Sequence, residues 1–142
     1  MKIGELAAVA RCTVETVRYY EKEGLLPAAT RSGGNFRQYG AEHVERLRFI
    51  RNCRALDMSH GEIRRLLELA DHPQDDCGAV NEVFDQHIAH VAERIRELEQ
   101  LRAALTHLRQ RCCDTQAVDA CGILHGIAEM ENATLPERHT HL

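Results

Sequence analysis

Residues 84–112 read FDQHIAHVAERIRELEQLRAALTHLRQRC. Apolar side chains recur at Phe84, Ile88, Val91, Ile95, Leu98, Leu101, Leu105 and Leu108, and the next step of four lands on Cys112. Steps of four and three alternate except for one extra three between Leu98 and Leu101, the pattern of a heptad-like helical seam with a local stammer. Glu93, Arg94, Arg96, Glu97 and Glu99 fall outward, which leaves the helix only a narrow apolar face. A helix this long outreaches the domain that precedes it, so its seam is expected to bury itself on a second copy in an antiparallel coiled coil.

The cysteines at its ends sharpen that expectation. Cys77 and Cys112 stand thirty-five positions apart, roughly 50 Å along a helix rising about 1.5 Å per residue. One subunit therefore cannot bring both sulfurs to one ion. Two antiparallel helices can, because Cys77 of one then lies beside Cys112 of the other. Cys112 and Cys121 bracket a loop of eight residues, long enough for their sulfurs to converge. Cys77, Cys112 and Cys121 are thus candidate ligands of a soft metal ion shared between subunits. Cys113, His87, His90, His139 and His141 are further candidates, the histidine pairs being one turn apart on the helix and alternate in the tail.

A chain of 142 residues with 44% hydrophobic content has room for one moderate domain and an extended element. Met1-Lys2-Ile3-Gly4-Glu5 has no secretory character and no stretch is apolar enough to span a bilayer, so a cytoplasmic location with no membrane partner is expected. In a reducing compartment six cysteines point to metal binding or sensing rather than disulfides. Residues 1–72 carry twelve Lys/Arg against ten Asp/Glu, and residues 73–142 six against twelve. Within 30–54, Arg31, Arg37, Arg46, Arg48, Arg51 and Arg54 face only Glu42 and Glu45, the local basic excess expected of a nucleic-acid surface. Phosphate-binding Gly-rich loops, nucleophile elbows and His-Glu-x-x-His runs are missing from the sequence, which gives an enzyme reading no support.

Upstream of the long helix the chain reads as a small helical domain. Ile3, Leu6, Ala7 and Val9 form a first short helix. Thr13 suits the N-cap of a second, with Glu15 in its first turn, Val14 and Val17 facing inward, and Gly24 and Pro27 as stops. Two short helices joined by a tight turn have helix-turn-helix geometry. The second offers Glu15, Thr16, Arg18 and Tyr19 on its polar side, and Tyr20 adds a phenol able to reach a phosphate. Thr30 to Tyr39, with Gly33-Gly34-Asn35 at the bend, reads as a hairpin wing whose alternation turns Phe36 inward and Arg37 and Tyr39 outward. Val44, Leu47, Ile50, Cys53 and Leu56 mark a third helix closed by Asp57-Met58. Ser59 with Glu62 is a capping box opening a fourth, with Ile63, Leu66, Leu67 and Ala70 inside. Cys12 and Cys53 read as core thiols.

With these pieces placed, the chain resembles the MerR family of bacterial transcription regulators. The resemblance rests on Ile3-Gly4-Glu5-Leu6-Ala7, Thr16-Val17-Arg18-Tyr19-Tyr20-Glu21, Gly24-Leu25-Leu26-Pro27, and Arg31 with Asn35-Phe36-Arg37-Gln38-Tyr39. Cys77, the long helix, Cys112 and Cys121 extend it. It implies a homodimer that binds double-stranded promoter DNA between two elements read by RNA polymerase, and that activates transcription by distorting the promoter when metal binds. The ion must then favour the activating conformation, or no population shift follows. By match to the family pattern the DNA contacts are Arg18, Tyr19, Tyr20, Arg37 and Tyr39, with Thr16, Arg31 and Asn35.

Within that family, Cys77 argues for divalent ions. The loop from Asp114 to Ala120 lacks the histidine of the zinc-sensor pattern. Cys121-Gly122-Ile123-Leu124 and Glu42-His43-Val44-Glu45-Arg46-Leu47 look most like the cadmium- and lead-responsive branch. The expected effector is Cd(II) or Pb(II), with Zn(II) or Hg(II) behind. The expected architecture is mainly α. A winged helix-turn-helix domain over 1–72 precedes a linker and dimerisation helix over 73–112. A metal-binding loop with a short helix follows over 113–131, then a flexible His-containing tail over 132–142. A metal-buffering protein would explain the cysteines but not Arg18-Tyr19-Tyr20 and the wing. A thiol-redox regulator would draw on Cys112-Cys113.

Overall fold

The computed structural model describes residues 1–31, 33–34, 36–112, 114–115 and 117–131. It is mainly helical: α1 spans Ile3–Val9, α2 Val14–Lys22, α3 Ala41–Ala55, α4 His60–Ala70, α5 Gly78–Arg109 and α6 Gly122–Ala128. Strands β1 (Thr30–Arg31) and β2 (Arg37–Gln38) pair antiparallel, Thr30 opposite Gln38 and Arg31 opposite Arg37. A 3₁₀ turn at Val118–Ala120 leads into α6. The chain forms two compact units, Met1–Val83 and one starting at Phe84. No helix among the described residues is long and apolar enough to cross a membrane.

Local chemistry sets the helix ends of the first unit. The Thr13 hydroxyl accepts from Thr16 N at 3.1 Å to start α2. At α4 the Ser59 hydroxyl accepts from Glu62 N while the Glu62 carboxylate accepts from Ser59 N, a reciprocal capping box. Gly24, at φ +75°, closes α2 in a Schellman turn: its N–H returns to Glu21 O and that of Leu25 to Tyr20 O. The same pair of bonds closes α1 at Arg11 (φ 55°) and α3 at Asp57 (φ 63°), two side-chain-bearing residues in left-handed conformation. α3 therefore stops at Ala55, and Leu56, expected on its inward stripe, is exposed.

Leu6, Val17, Leu25, Leu47, Ile50, Met58 and Ile63 are sealed from solvent in one core shared by α1, α2, α3 and α4. Burial of each such side chain contributes roughly 1.5–3 kcal/mol before entropy is charged. Val80 and Val83 pack onto this core, so the unit includes the first turns of α5. Ala70 is exposed at the end of α4, where Leu69 packs instead.

The wing departs from simple alternation. Phe36, expected to face inward, is 62% exposed, and Tyr39, expected to face outward, is 3% exposed. Pairing ends at Gln38, so Tyr39 is free of the ladder's period; its N–H donates to Met1 O at 2.8 Å, and its ring meets the buried His43 edge-on at 5.1 Å.

In the second unit the α5 seam lies open along the single chain: Phe84, Ile88, Val91, Ile95, Leu98 and Leu105 are all exposed. α6 also exposes Leu124 and Ile127.

Candidate DNA-contact surface and thiolate site

Of the six arginines in the basic stretch, several are occupied inside the fold. Arg51 donates to the C-cap carbonyl of α1, Ala10 O, at 2.6 Å, and Arg54 to Met58 O at 2.6 Å. Arg46 grips Asp71 through two bonds of 3.2 and 3.3 Å, holding that carboxyl below its usual range. Arg64, outside the stretch, likewise fastens the C-cap carbonyl of α2, Glu23 O. A guanidinium on the last carbonyls of a helix answers their partial negative charge. The local excess of positive charge is thus partly mortar.

What faces outward comes from α2 and the wing. Arg18 and Tyr19 are exposed, Thr16 is half-buried with its hydroxyl 2.8 Å from that of Thr13, and Arg31 and Arg37 are exposed on the paired strands. An open cleft of about 550 Å³ is lined by Ile3, Arg18, Glu21, Lys22 and Arg37. Glu21 is its one acid, and that carboxylate is engaged: Arg37 Nη1 donates to it at 3.1 Å and Tyr39 Oη at 2.6 Å. The bracket ties the wing to α2. Burial pushes the Tyr39 phenol up, and its bond to Glu21 pushes the same way. Tyr20 is likewise buried with a raised phenol. Tyr20 and Tyr39, both expected as DNA contacts, are buried in the core of this unit; Tyr39 shares the Glu21 carboxylate with Arg37, and Tyr20 packs its ring against Tyr19 and His60. Asn35 lies outside the described residues. Sequence reasoning gave Glu21 no role of its own, although it closes the Thr16-Val17-Arg18-Tyr19-Tyr20-Glu21 stretch that carries the family resemblance.

In the second unit, Cys112 follows α5 by three residues and Cys121 is the N-cap of α6. The two side chains meet. The Cys121 thiol is lowered by the N–H groups of Leu124 first and Ile123 next, and by a side-chain interaction with Cys112, whose own S–H donates to Asp114 O at 3.4 Å. A sulfur held in the open N-terminal turn of a helix is favoured as thiolate, the form that binds metal. The Cys112 carbonyl accepts from Arg109 Nη1 at 2.8 Å, fixing the exit from α5. Two glycines let α6 lie on that exit. A β-carbon at Gly122 would strike the Arg111 carbonyl oxygen, and one at Gly126 would fall 2.5 Å from Arg111 Nη1 and 2.8 Å from Leu108 Cδ2.

Cys77 is exposed in the first unit, just before α5; Asp76, not Cys77, caps the helix through Gly78 N at 2.8 Å. Cys77 and Cys112 are thus separated by a 32-residue helix, about 48 Å long. His87 is half-buried and His90 exposed, three positions apart on α5. Cys113, His139 and His141 lie outside the described residues. Cys12 and Cys53 pack in the first core with thiols raised by burial, a setting that keeps them protonated.

A helix-turn-helix with a wing is a DNA-binding architecture, here followed by a long helix with an open seam. Residues 1–70 match the MerR HTH family of regulatory proteins and residues 44–108 the family's region described as MerR, DNA binding. A ZntR homolog of Haemophilus influenzae, an HTH-type transcriptional regulator, is 52% identical over 111 residues, 78% of this chain and 82% of that protein. ZntR of Escherichia coli is 35% identical over 130 residues, 90% of this chain and 92% of its own. The crystal structure of the transcription regulator PbrR691 from Ralstonia metallidurans CH34 in complex with lead(II) superposes with a TM-score of 0.83 at 51% identity, covering 89% of this chain and 98% of that one. The chain belongs to the MerR family.

Proposed function

We propose that the protein is a cytoplasmic, metal-responsive transcriptional activator. It acts as a homodimer joined along the α5 seam, binds promoter DNA, and on binding Cd(II) or Pb(II) distorts that promoter for RNA polymerase. The observation that carries this reading is the interaction of Cys112 with Cys121 at the N-cap of α6, with Cys77 standing just before the first turn of the 32-residue α5. The donor set fits a soft ion: two adjoining sulfurs, one favoured as thiolate, with a third sulfur available from Cys77 of the partner subunit. The relative in complex with lead supports the same ion class. On the DNA side, Thr16, Arg18, Tyr19, Arg31 and Arg37 are the contacting groups, with Asn35 carried over from the family pattern.

Two experiments test it. Promoter activation in vitro, across Cd(II), Pb(II), Zn(II) and Hg(II) at buffered free concentrations, should rank Cd(II) or Pb(II) first; a response confined to Zn(II) or Hg(II) overturns the effector assignment. Heterodimers of Cys77→Ser with Cys112→Ser chains should keep one complete shared site and part of the response. Sites built within one chain would leave none.

Arg37→Ala should weaken operator binding across all sequences and make its salt dependence shallower by about one unit of slope, because one phosphate-facing cation is lost. Tyr39 keeps its bond to Glu21 in that variant, so the thermal midpoint should hardly move. An unchanged salt slope would remove Arg37 from the interface.

A further inference from the structure

We propose that His60 is a positioning residue for DNA binding: it holds the Tyr19 hydroxyl in the orientation that lets it donate to a phosphate oxygen. This rests on the reading of α2 as the DNA-facing helix. His60 opens α4, forty-one residues from Tyr19 in sequence, yet its Nδ1 lies 3.2 Å from Tyr19 Oη. The two rings are tilted at 52° with centroids 5.5 Å apart, and the Tyr20 ring meets the imidazole edge-on at 6.1 Å. Tyr20 is buried and Tyr19 exposed. The imidazole therefore passes the rigidity of a core side chain to a surface one, whose ordering would otherwise fall on the binding step.

Proton inventory gives the contact a direction. A phosphate oxygen only accepts, and a phenol has one proton. Tyr19 can serve a phosphate only if that proton points outward, and Oη must then accept from a hydrogen on His60 Nδ1. The Nδ1–H tautomer and the imidazolium both supply it. The Nε2–H tautomer instead draws the phenol proton inward and leaves an oxygen lone pair facing the DNA. Binding thus selects the form of His60 that donates.

The test uses the full chain and an operator duplex selected by the wild-type protein from a randomised pool, with affinity read by fluorescence anisotropy at one fixed salt concentration. Tyr19→Phe should weaken binding by about tenfold, the loss of one charge-assisted hydrogen bond. His60→Leu should cost about threefold to tenfold in the wild-type background and nothing more in the Tyr19→Phe background, the non-additivity expected of two groups acting through one bond. His60→Asn, whose side-chain N–H can stand near the Nδ1 position, should recover much of the affinity. Equal losses from His60→Leu in both backgrounds would make it a structural residue and overturn the proposal. So would weak binding by Tyr19→Phe with none by His60→Leu. Loss of binding by Arg18→Ala with none by Tyr19→Phe would overturn the proposal while leaving α2 as the DNA-facing helix. Failure of the wild-type protein to select any duplex would sink that reading itself.

Discussion

Cys112→Ser should abolish metal-induced transcription while leaving operator affinity within about twofold of wild type. The substitution keeps size and hydrogen-bonding capacity but replaces a soft donor with a hard one. For a thiophilic ion that costs at least the roughly 10- to 100-fold attached to lesser disturbances of a metal site. Operator binding should survive because Cys112 belongs to the unit starting at Phe84, whereas Arg18, Tyr19 and Arg37 belong to Met1–Val83. In vitro transcription over a buffered metal titration reads the first effect and fluorescence anisotropy on the operator the second. A variant that still activates at wild-type metal concentrations would remove Cys112 from the site, and one that loses the operator would deny that sensing and DNA binding are separate.

The second large effect needs no change of ligand. Gly122→Ala adds a single methyl group where the Arg111 carbonyl oxygen already stands, and backbone cannot swing aside as a side chain can. α6 must shift, and Cys121, directly before Gly122, shifts with it away from Cys112. Metal affinity should fall by at least about tenfold, since sites tolerate displacements of only about half an ångström, and the absorbance of sulfur-to-metal charge transfer should titrate correspondingly later. Gly126→Ala is the control. The atoms nearest its added carbon, Nη1 and Cδ of Arg111 and the tip of Leu108, belong to side chains able to rotate, so its effect should stay below about threefold. Equal effects of the two substitutions would mean that α6 merely tolerates crowding and does not place Cys121.

Legibility followed the range of the interaction. The Thr13 cap, the Ser59–Glu62 box and the Gly24 stop were readable because each is settled within a few residues. The seam of α5 was readable because a period repeated over thirty residues leaves few alternatives. Phe36 and Tyr39 misled because a ladder of two residues per strand is too short to impose its alternation on the next position. The arginines of 30–54 were only partly readable: composition counts charge, and only the fold reveals that Arg46, Arg51 and Arg54 are fastened to Asp71 and to carbonyls. Convergence of Cys112 and Cys121 was foreseeable from loop length, but the means was not. The signal was present in Gly122 and Gly126, four apart on one face of a short helix, and its meaning depends on what lies beneath.

Glu21 serves two clients with one carboxylate, and its side chain is largely shielded from water. Under the proposed function, DNA that bears on the wing bears on α2 as well, because Arg37 and Tyr39 both close on Glu21. Wing and reading helix would then be re-aimed on a promoter together, as one head.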